Sequence, residues 1–302
     1  MTVKRILTVI ASVAMLSTLS GCATQKSQWL SPPMAIPLQV SAKKEIQIAQ
    51  LSQLIQRKNL DDRVRAKMLF ERGSYYDSVG LRLLARLDFD QSLAIDPAQS
   101  DVYNLLGVNF TEEQQYDDAY ESFDSALELN PKNLYALRNR AIALYYGGRY
   151  ELALADLQSL TKDGEADPFI SLWRYIVEYQ LNPTKARQEL SQAYDVKHQG
   201  WGWFLVALML DKVSNEEALK VIVTTSPDNA VLAERLTETY FYIAKRYQLS
   251  GDLKTAYSLY KIVLASNVYD YIEHKYAYIE LDRIKQEVTK KKQAEVSAKP
   301  VH

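Results

Sequence analysis

Cysteine is almost absent. The chain has 302 residues and one cysteine, Cys22, which excludes an intrachain disulfide and any multi-cysteine metal site. The three histidines, His198, His274 and His302, are too scattered to form a cluster. Ten glycines and nine prolines leave little material for phosphate-cradling loops or for many tight β-turns. No Gly-x-Gly-x-x-Gly, P-loop, His-Glu-x-x-His or Gly-x-Ser-x-Gly motif occurs. Charge of one sign is lacking too: 36 Lys and Arg face 37 Asp and Glu, a net charge of −1. A nucleic-acid binder needs a basic field to neutralise phosphates, so no nucleic-acid partner is expected. What is plentiful is apolar sequence, 47% of the chain, ample for a core. These absences lean toward a helical protein that is not an enzyme and holds neither metal nor cofactor.

The first residues read as an address. Lys4 and Arg5 precede an uncharged run, Ile6 to Leu19, too short to cross a bilayer, which takes about 20 residues. Its length and flanks are those of a secretory leader. Leu19-Ser20-Gly21-Cys22 then resembles the lipobox of bacterial lipoproteins. By that resemblance residues 1–21 are removed, Cys22 is lipidated, and several acyl chains make a lasting anchor. Ala23 stands where an Asp commonly signals inner-membrane retention, which favours the outer membrane. From 22 to 37 the chain reads as a tether, with Pro32, Pro33 and Pro37 interrupting any helix.

A period of 34 residues organises the body. Gly73 and Gly107 are 34 apart, as are Ala85, Ala119 and Ala153, then Phe89, Phe123 and Leu157, and Pro97 with Pro131. Small residues let paired helices approach, and large ones fill the space between them. Gly80, Gly148 and Gly251 fall at the turn between two helices, where glycine is cheap at a helix end. This grid resembles the tetratricopeptide repeat (TPR), a helix-turn-helix unit. The fold class expected is all-α: a TPR helix-pair superhelix with an extra N-terminal helix. Three repeats are expected over 66–165, degenerate helix pairs over 166–236, and a further repeat-like pair over 237–285. Residues 286–302 look like a disordered basic tail around Lys290-Lys291-Lys292.

In such a superhelix the first helix of each pair lines the inner face. Offsets 2, 5, 9 and 12 of each repeat give Lys67, Phe70, Ser74 and Asp77, then Asp101, Asn104, Val108 and Thr111, then Tyr135, Arg138, Ile142 and Tyr145, and the candidate partner-binding residues are the nine at offsets 2, 5 and 12. Asn, Arg and Tyr can hydrogen-bond an extended backbone without demanding one side chain. Before the repeats, residues 38–65 hold an apolar stripe, Ile48, Leu51, Leu54 and Ile55, expected to serve dimerisation because it exceeds what one neighbour needs. The acidic pairs Asp61-Asp62, Glu112-Glu113, Asp117-Asp118 and Glu216-Glu217 are expected at helix starts, where the macrodipole favours negative charge. Trp201 and Trp203 read as packing anchors.

The lipobox, the proline-bearing tether, Phe70-Glu71-Arg72-Gly73, Ala141 to Gly148, Asp167-Pro168-Phe169, Trp201-Gly202-Trp203 and Glu273-His274 occur in an order that resembles the NlpI-type family of envelope lipoproteins. The resemblance spans Cys22 to Leu281, and the basic tail departs from it. It implies a homodimeric outer-membrane lipoprotein facing the periplasm. Proteins of this kind are adaptors that bring a murein endopeptidase to a periplasmic tail-specific protease and bind other peptidoglycan hydrolases. The alternative is a TPR lipoprotein acting as a pilotin or in outer-membrane protein assembly.

Overall fold

A computed structural model describes residues 31–161, 167–196 and 199–297, with the side chains of 295 and 296 left aside. The leader, Cys22 and the tether up to residue 30 lie outside the described residues, as does His198. Fourteen α-helices and no strand occur among the described residues, all within the unit Met34–His302. None of them is long and apolar enough to cross a membrane.

The helices come in antiparallel pairs. A leading helix α1 (Ala42–Ile55) precedes α2 (Asp62–Ser78) with α3 (Arg82–Ile95), α4 (Ser100–Glu112) with α5 (Tyr116–Leu129), and α6 (Leu134–Tyr146) with α7 (Tyr150–Ser159). Then come α8 (Pro168–Leu181) with α9 (Pro183–Val196), α10 (Trp201–Met209), α11 (Asn215–Thr225), α12 (Asn229–Leu249) with α13 (Leu253–Ala265), and a last helix α14 (Ile272–Ser297). Short polar side chains start many of them: Ser41, Asp61, Asn133, Asp167, Ser214, Asp228 and Asp252 each accept from a first-turn backbone N–H.

The repeat grid is a packing grid. Ala85, Ala119 and Ala153 are fully buried, as are Phe89, Phe123 and Leu157. A Cβ on Gly73 would come within 2.7 Å of the Phe89 ring, and one on Gly107 within 2.7 Å of Phe123. In the third repeat the counterpart of these glycines is Ala141 and the ring is replaced by Leu157, so the smaller partner admits the methyl group. Gly80, Gly148 and Gly251 turn the chain with φ of 79°, 77° and 89°, the left-handed region that favours glycine. The second repeat puts Gln114, φ 60°, in that slot.

Three expectations need correction. The degenerate stretch makes one pair, α8 with α9; α10 packs on α8 and α12, and α11 on α12, rather than chiefly on each other. The expected disordered tail is helical to Ser297, because α14 runs on without a break. The expected tether ends early. The Ile36 N–H donates to Asn229 Oδ1 (2.8 Å), Asn229 Nδ2 donates back to the Ile36 carbonyl (2.9 Å), and the Leu38 N–H donates to the Ser266 carbonyl (2.9 Å). Residues 36–38 are thus a strap laid on the body. Lys44 on α1 continues it, 2.9 Å from Asp270 in the turn before α14.

Candidate functional site

The expected inner-face positions are divided between the chain itself and solvent. Two of the residues at offset 12, Asp77 and Tyr145, end their helices against α14. Asp77 Oδ2 lies 2.6 Å from Lys275 Nζ, and Glu112 Oε1 lies 3.2 Å from the same ammonium. The other Glu112 oxygen takes Arg82 Nε at 2.7 Å. Burial works against the Lys275 charge, and the two carboxylates outweigh it, raising the Lys275 pKa. Thr111 is fully buried and donates to the Gly107 carbonyl at 2.8 Å. Tyr145 is buried, with the Arg283 guanidinium 5.0 Å from its ring centre and Lys245 donating to its hydroxyl at 3.3 Å. Lys245 pairs in turn with Glu280, both side chains wholly out of water, and Gln248 donates to the second Glu280 oxygen at 2.9 Å. Of the predicted groove residues, Asp77 and Tyr145 therefore contact the chain's own last helix, and Thr111 is buried with its hydroxyl spent on its own helix.

Offsets 2 and 5 fare differently. Lys67 and Asp101 are exposed, and Asp101 accepts from Asn133 at 3.2 Å. Tyr135 is 67% exposed, with the Arg138 guanidinium 5.5 Å from its ring centre. Phe70 is half-buried, its ring 6.3 Å from that of Phe89. Asn104 is buried and accepts from Asn139 at 3.0 Å. Lys67, Asp101 and Tyr135 are open to solvent, and Arg138 is half-buried beside the Tyr135 ring. Phe70 opens instead into a groove of about 450 Å³ shared with Lys44, Gln47, Glu71, Ser74 and Tyr75.

Sequence reasoning missed the charges on α12 and α14. Glu238 and Glu273 are both buried. Trp201 Nε1 donates to Glu238, and Tyr242 donates to Glu273 Oε1 at 3.0 Å. Burial, then the Glu273 charge, pushes Glu238 up to about 8. Burial likewise raises Glu273. His274 is buried too, its Nε2 3.2 Å from the Leu264 carbonyl, and burial pushes its pKa down to about 4. No signal in the sequence marks these residues as interior, since each reads as an ordinary polar position on a helix.

Half of the expected dimerisation stripe packs within the protomer. Leu51 and Ile55 are buried against Leu69 of α2, and Ile48 and Leu54 are half-buried. Asp61-Asp62, Asp117-Asp118 and Glu216-Glu217 do sit at helix starts. Glu112-Glu113 does not: it closes α4, where the dipole opposes it, and arginines and a lysine hold it instead, Arg82 and Lys275 on Glu112 and Arg86 on Glu113. Trp203 is buried and Trp201 stacks on Phe204. Among the described residues no group of three or more His, Cys, Asp or Glu is placed to hold a metal.

No family model matches this chain. Several solved TPR structures are similar in fold. The C-terminal part of a TPR repeat-containing protein from Cytophaga hutchinsonii matches at TM-score 0.47 and 16% identity, over 74% of this chain and 90% of that one. Pseudomonas aeruginosa pilF matches at 0.42 and 18%, over 75% and 100%. YrrB, a TPR protein with an unusual peptide-binding site, matches at 0.43 and 16%, over 70% and 97%. The chain's own helix pairs, with the Gly73–Phe89 and Gly107–Phe123 contacts repeating at 34 residues, make it an all-α protein of tetratricopeptide architecture.

Proposed function

We propose that this chain is a periplasmic adaptor anchored to the outer membrane through Cys22. It holds peptidoglycan hydrolases, a murein endopeptidase among them, near a tail-specific protease and so sets hydrolase turnover during wall growth and division. The observation that carries the scaffold part is that Lys67, Asp101 and Tyr135 are exposed on three successive first helices, with the half-buried Arg138 beside Tyr135. Tyr and Arg are favoured at binding hot spots, and alternate positions on successive helices suit an extended partner segment. The lipobox and the family resemblance support the anchor, the partners and a symmetric dimer. Tethering two partners on one scaffold replaces a bimolecular encounter by an intramolecular one, at an effective concentration up to about millimolar for short flexible links. The scaffold itself needs no catalytic residue.

Titration of a labelled murein endopeptidase tests this. Lys67→Ala, Tyr135→Ala and Arg138→Ala combined should weaken binding by about 2 kcal/mol, roughly thirtyfold, with helicity unchanged. Equal affinities would remove these residues as the site. Envelope capture that returned secretin subunits or barrel-assembly proteins instead of hydrolases and protease would overturn the adaptor role.

A further inference from the structure

The strap is held as a ligand is held. Residues 36 and 38 each present both backbone groups to the body, and the body meets all four. Asn229 accepts from the Ile36 N–H at 2.8 Å and donates to its carbonyl at 2.9 Å. The Ser266 carbonyl takes the Leu38 N–H at 2.9 Å, and Asn267 Nδ2 donates to the Leu38 carbonyl at 3.2 Å. Alternate residues bonded along one edge make the pattern of a strand added to a sheet, although helix ends supply every partner. Asn229 opens α12, and Asn267 follows the end of α13. Asn267 stands at φ 58°, in the left-handed region that Gly80, Gly148 and Gly251 occupy at other turns. A glycine there would lack the amide that grips Leu38. Pro37 loses nothing by having no N–H, because in an extended chain the residue between two bonded ones turns its nitrogen the other way.

Little else fixes the strap. Ile36 is 72% exposed, Met34 and Pro37 are exposed, and Ala35 and Leu38 are half-buried. Ala35 lies over Leu236, Tyr240, Ile262 and Ala265, where about 10 Å³ remains, so a small residue is required. Farther along, the fit is loose. Gln39 and Val40 are exposed beside a cavity of about 240 Å³ whose walls carry Glu234, Asp270 and Lys44. Lys44 pairs with Asp270, and the Tyr271 hydroxyl donates to Glu234. Two carboxylates against one ammonium suit a basic side chain better than the neutral Gln39. Lys44, Ser78 and Asp270 also line the groove at Phe70, so the cavity adjoins that groove.

We propose that this edge is a binding site for an extended segment of a partner protein, and that the strap occupies it in cis. The segment carries a small residue at the Ala35 position and a lysine or arginine at the Gln39 position. The proposal rests on the adaptor reading only in having a partner to supply the segment. Recognition through backbone groups accepts many sequences. The strap, joined directly to α1, competes at a high effective concentration. Partner binding is therefore weak until the strap lifts.

The test uses the full chain in mild detergent and a fluorescent peptide of residues 34–41. Ile36→Pro with Leu38→Pro sets ring carbons where two N–H groups meet Asn229 and Ser266, and leaves the edge itself intact. This variant should bind the peptide roughly tenfold more tightly than the wild type, with unchanged helicity, and Asn229→Ala added to it should abolish that gain. In the wild type, peptide at about millimolar concentration should displace the strap and speed hydrogen exchange at the Ile36 amide. Equal peptide affinities for variant and wild type, or unchanged exchange, overturn the site. Gln39→Lys in the peptide should tighten binding about threefold, and Glu234→Gln in the protein should remove that gain. Indifference to the lysine overturns the basic position. Labelled murein endopeptidase separates the two readings. It should bind the strap variant more tightly than the wild type and be displaced by the peptide. Binding that the peptide does not disturb overturns the partner role of the edge, and no binding to either chain overturns the adaptor reading instead.

Discussion

At the scale of single residues, the repeats differ by a compensated exchange. Gly73 and Gly107 each face a phenylalanine, whereas Ala141 comes with Leu157. A methyl group at position 107 must push the buried Phe123 ring, so Gly107→Ala should cost about 1–3 kcal/mol. Adding Phe123→Leu should recover part of that loss, and a double-mutant cycle on urea midpoints reads the coupling. Additive losses would mean that the two residues do not sense each other. Glu238 offers a second test. Its folded pKa, about 8, lies above the ordinary carboxylate value, so the folded state holds the proton more tightly than the unfolded one. The stabilisation is complete below about pH 4.5 and is lost as pH rises through about 8. Glu238→Gln removes the titration, so the variant should gain on the wild type as pH climbs through that window. Parallel melting curves from pH 5 to 9 would contradict it.

At the scale of elements, α14 does what no stretch of sequence announces. Its segment Glu273-His274-Lys275-Tyr276-Ala277-Tyr278-Ile279-Glu280 carries charges that ordinarily mark a surface. The partners that make burial tolerable sit far off in the chain: Lys275 meets Asp77, and Glu280 meets Lys245. The 34-residue grid was legible because its rule is local, small and large residues at fixed offsets, and Ala85, Ala119 and Phe123 obey it to the letter. The inner-face offsets were legible as geometry but not as occupancy; nothing near Asp77 or Tyr145 says that a helix more than a hundred residues later will lie on them. Lys275 should therefore behave as an interior residue. Lys275→Ala leaves Asp77 without its cation and Glu112 with Arg82 alone, and should cost about 3–5 kcal/mol. Lys291→Ala, on the exposed end of the same helix and paired with Glu287, should stay within about 0.5 kcal/mol. Chemical denaturation of the two variants side by side decides between a structural α14 and a loosely laid one.

At the scale of the whole molecule, the two ends of the body are joined. The strap at 36–38 bonds to Asn229 and Ser266, and Asn267 Nδ2 donates to the Leu38 carbonyl at 3.2 Å. Asn229→Ala removes both bonds to Ile36, a loss of about 1–2 kcal/mol. The Ile36 amide should then exchange hydrogen faster, while amides of α6 keep their wild-type rates. Unchanged exchange at Ile36 would show that the Leu38 bonds hold the strap alone.

The last helix also alters how the chain can be made. A plain solenoid folds by adding neighbours, each new repeat settling on the one before it. Here the contacts of Lys275 with Asp77 and of Lys44 with Asp270 span nearly the whole body, and such closures are slow because the chain entropy must be spent first. A nascent chain that has emerged only as far as α13 holds paired helices in which Asp77, Glu112 and Lys245 still lack the partners that α14 brings. That intermediate is the species most exposed to aggregation and proteolysis. Arrival of residues 272–284 converts a row of separable units into a single cooperative block.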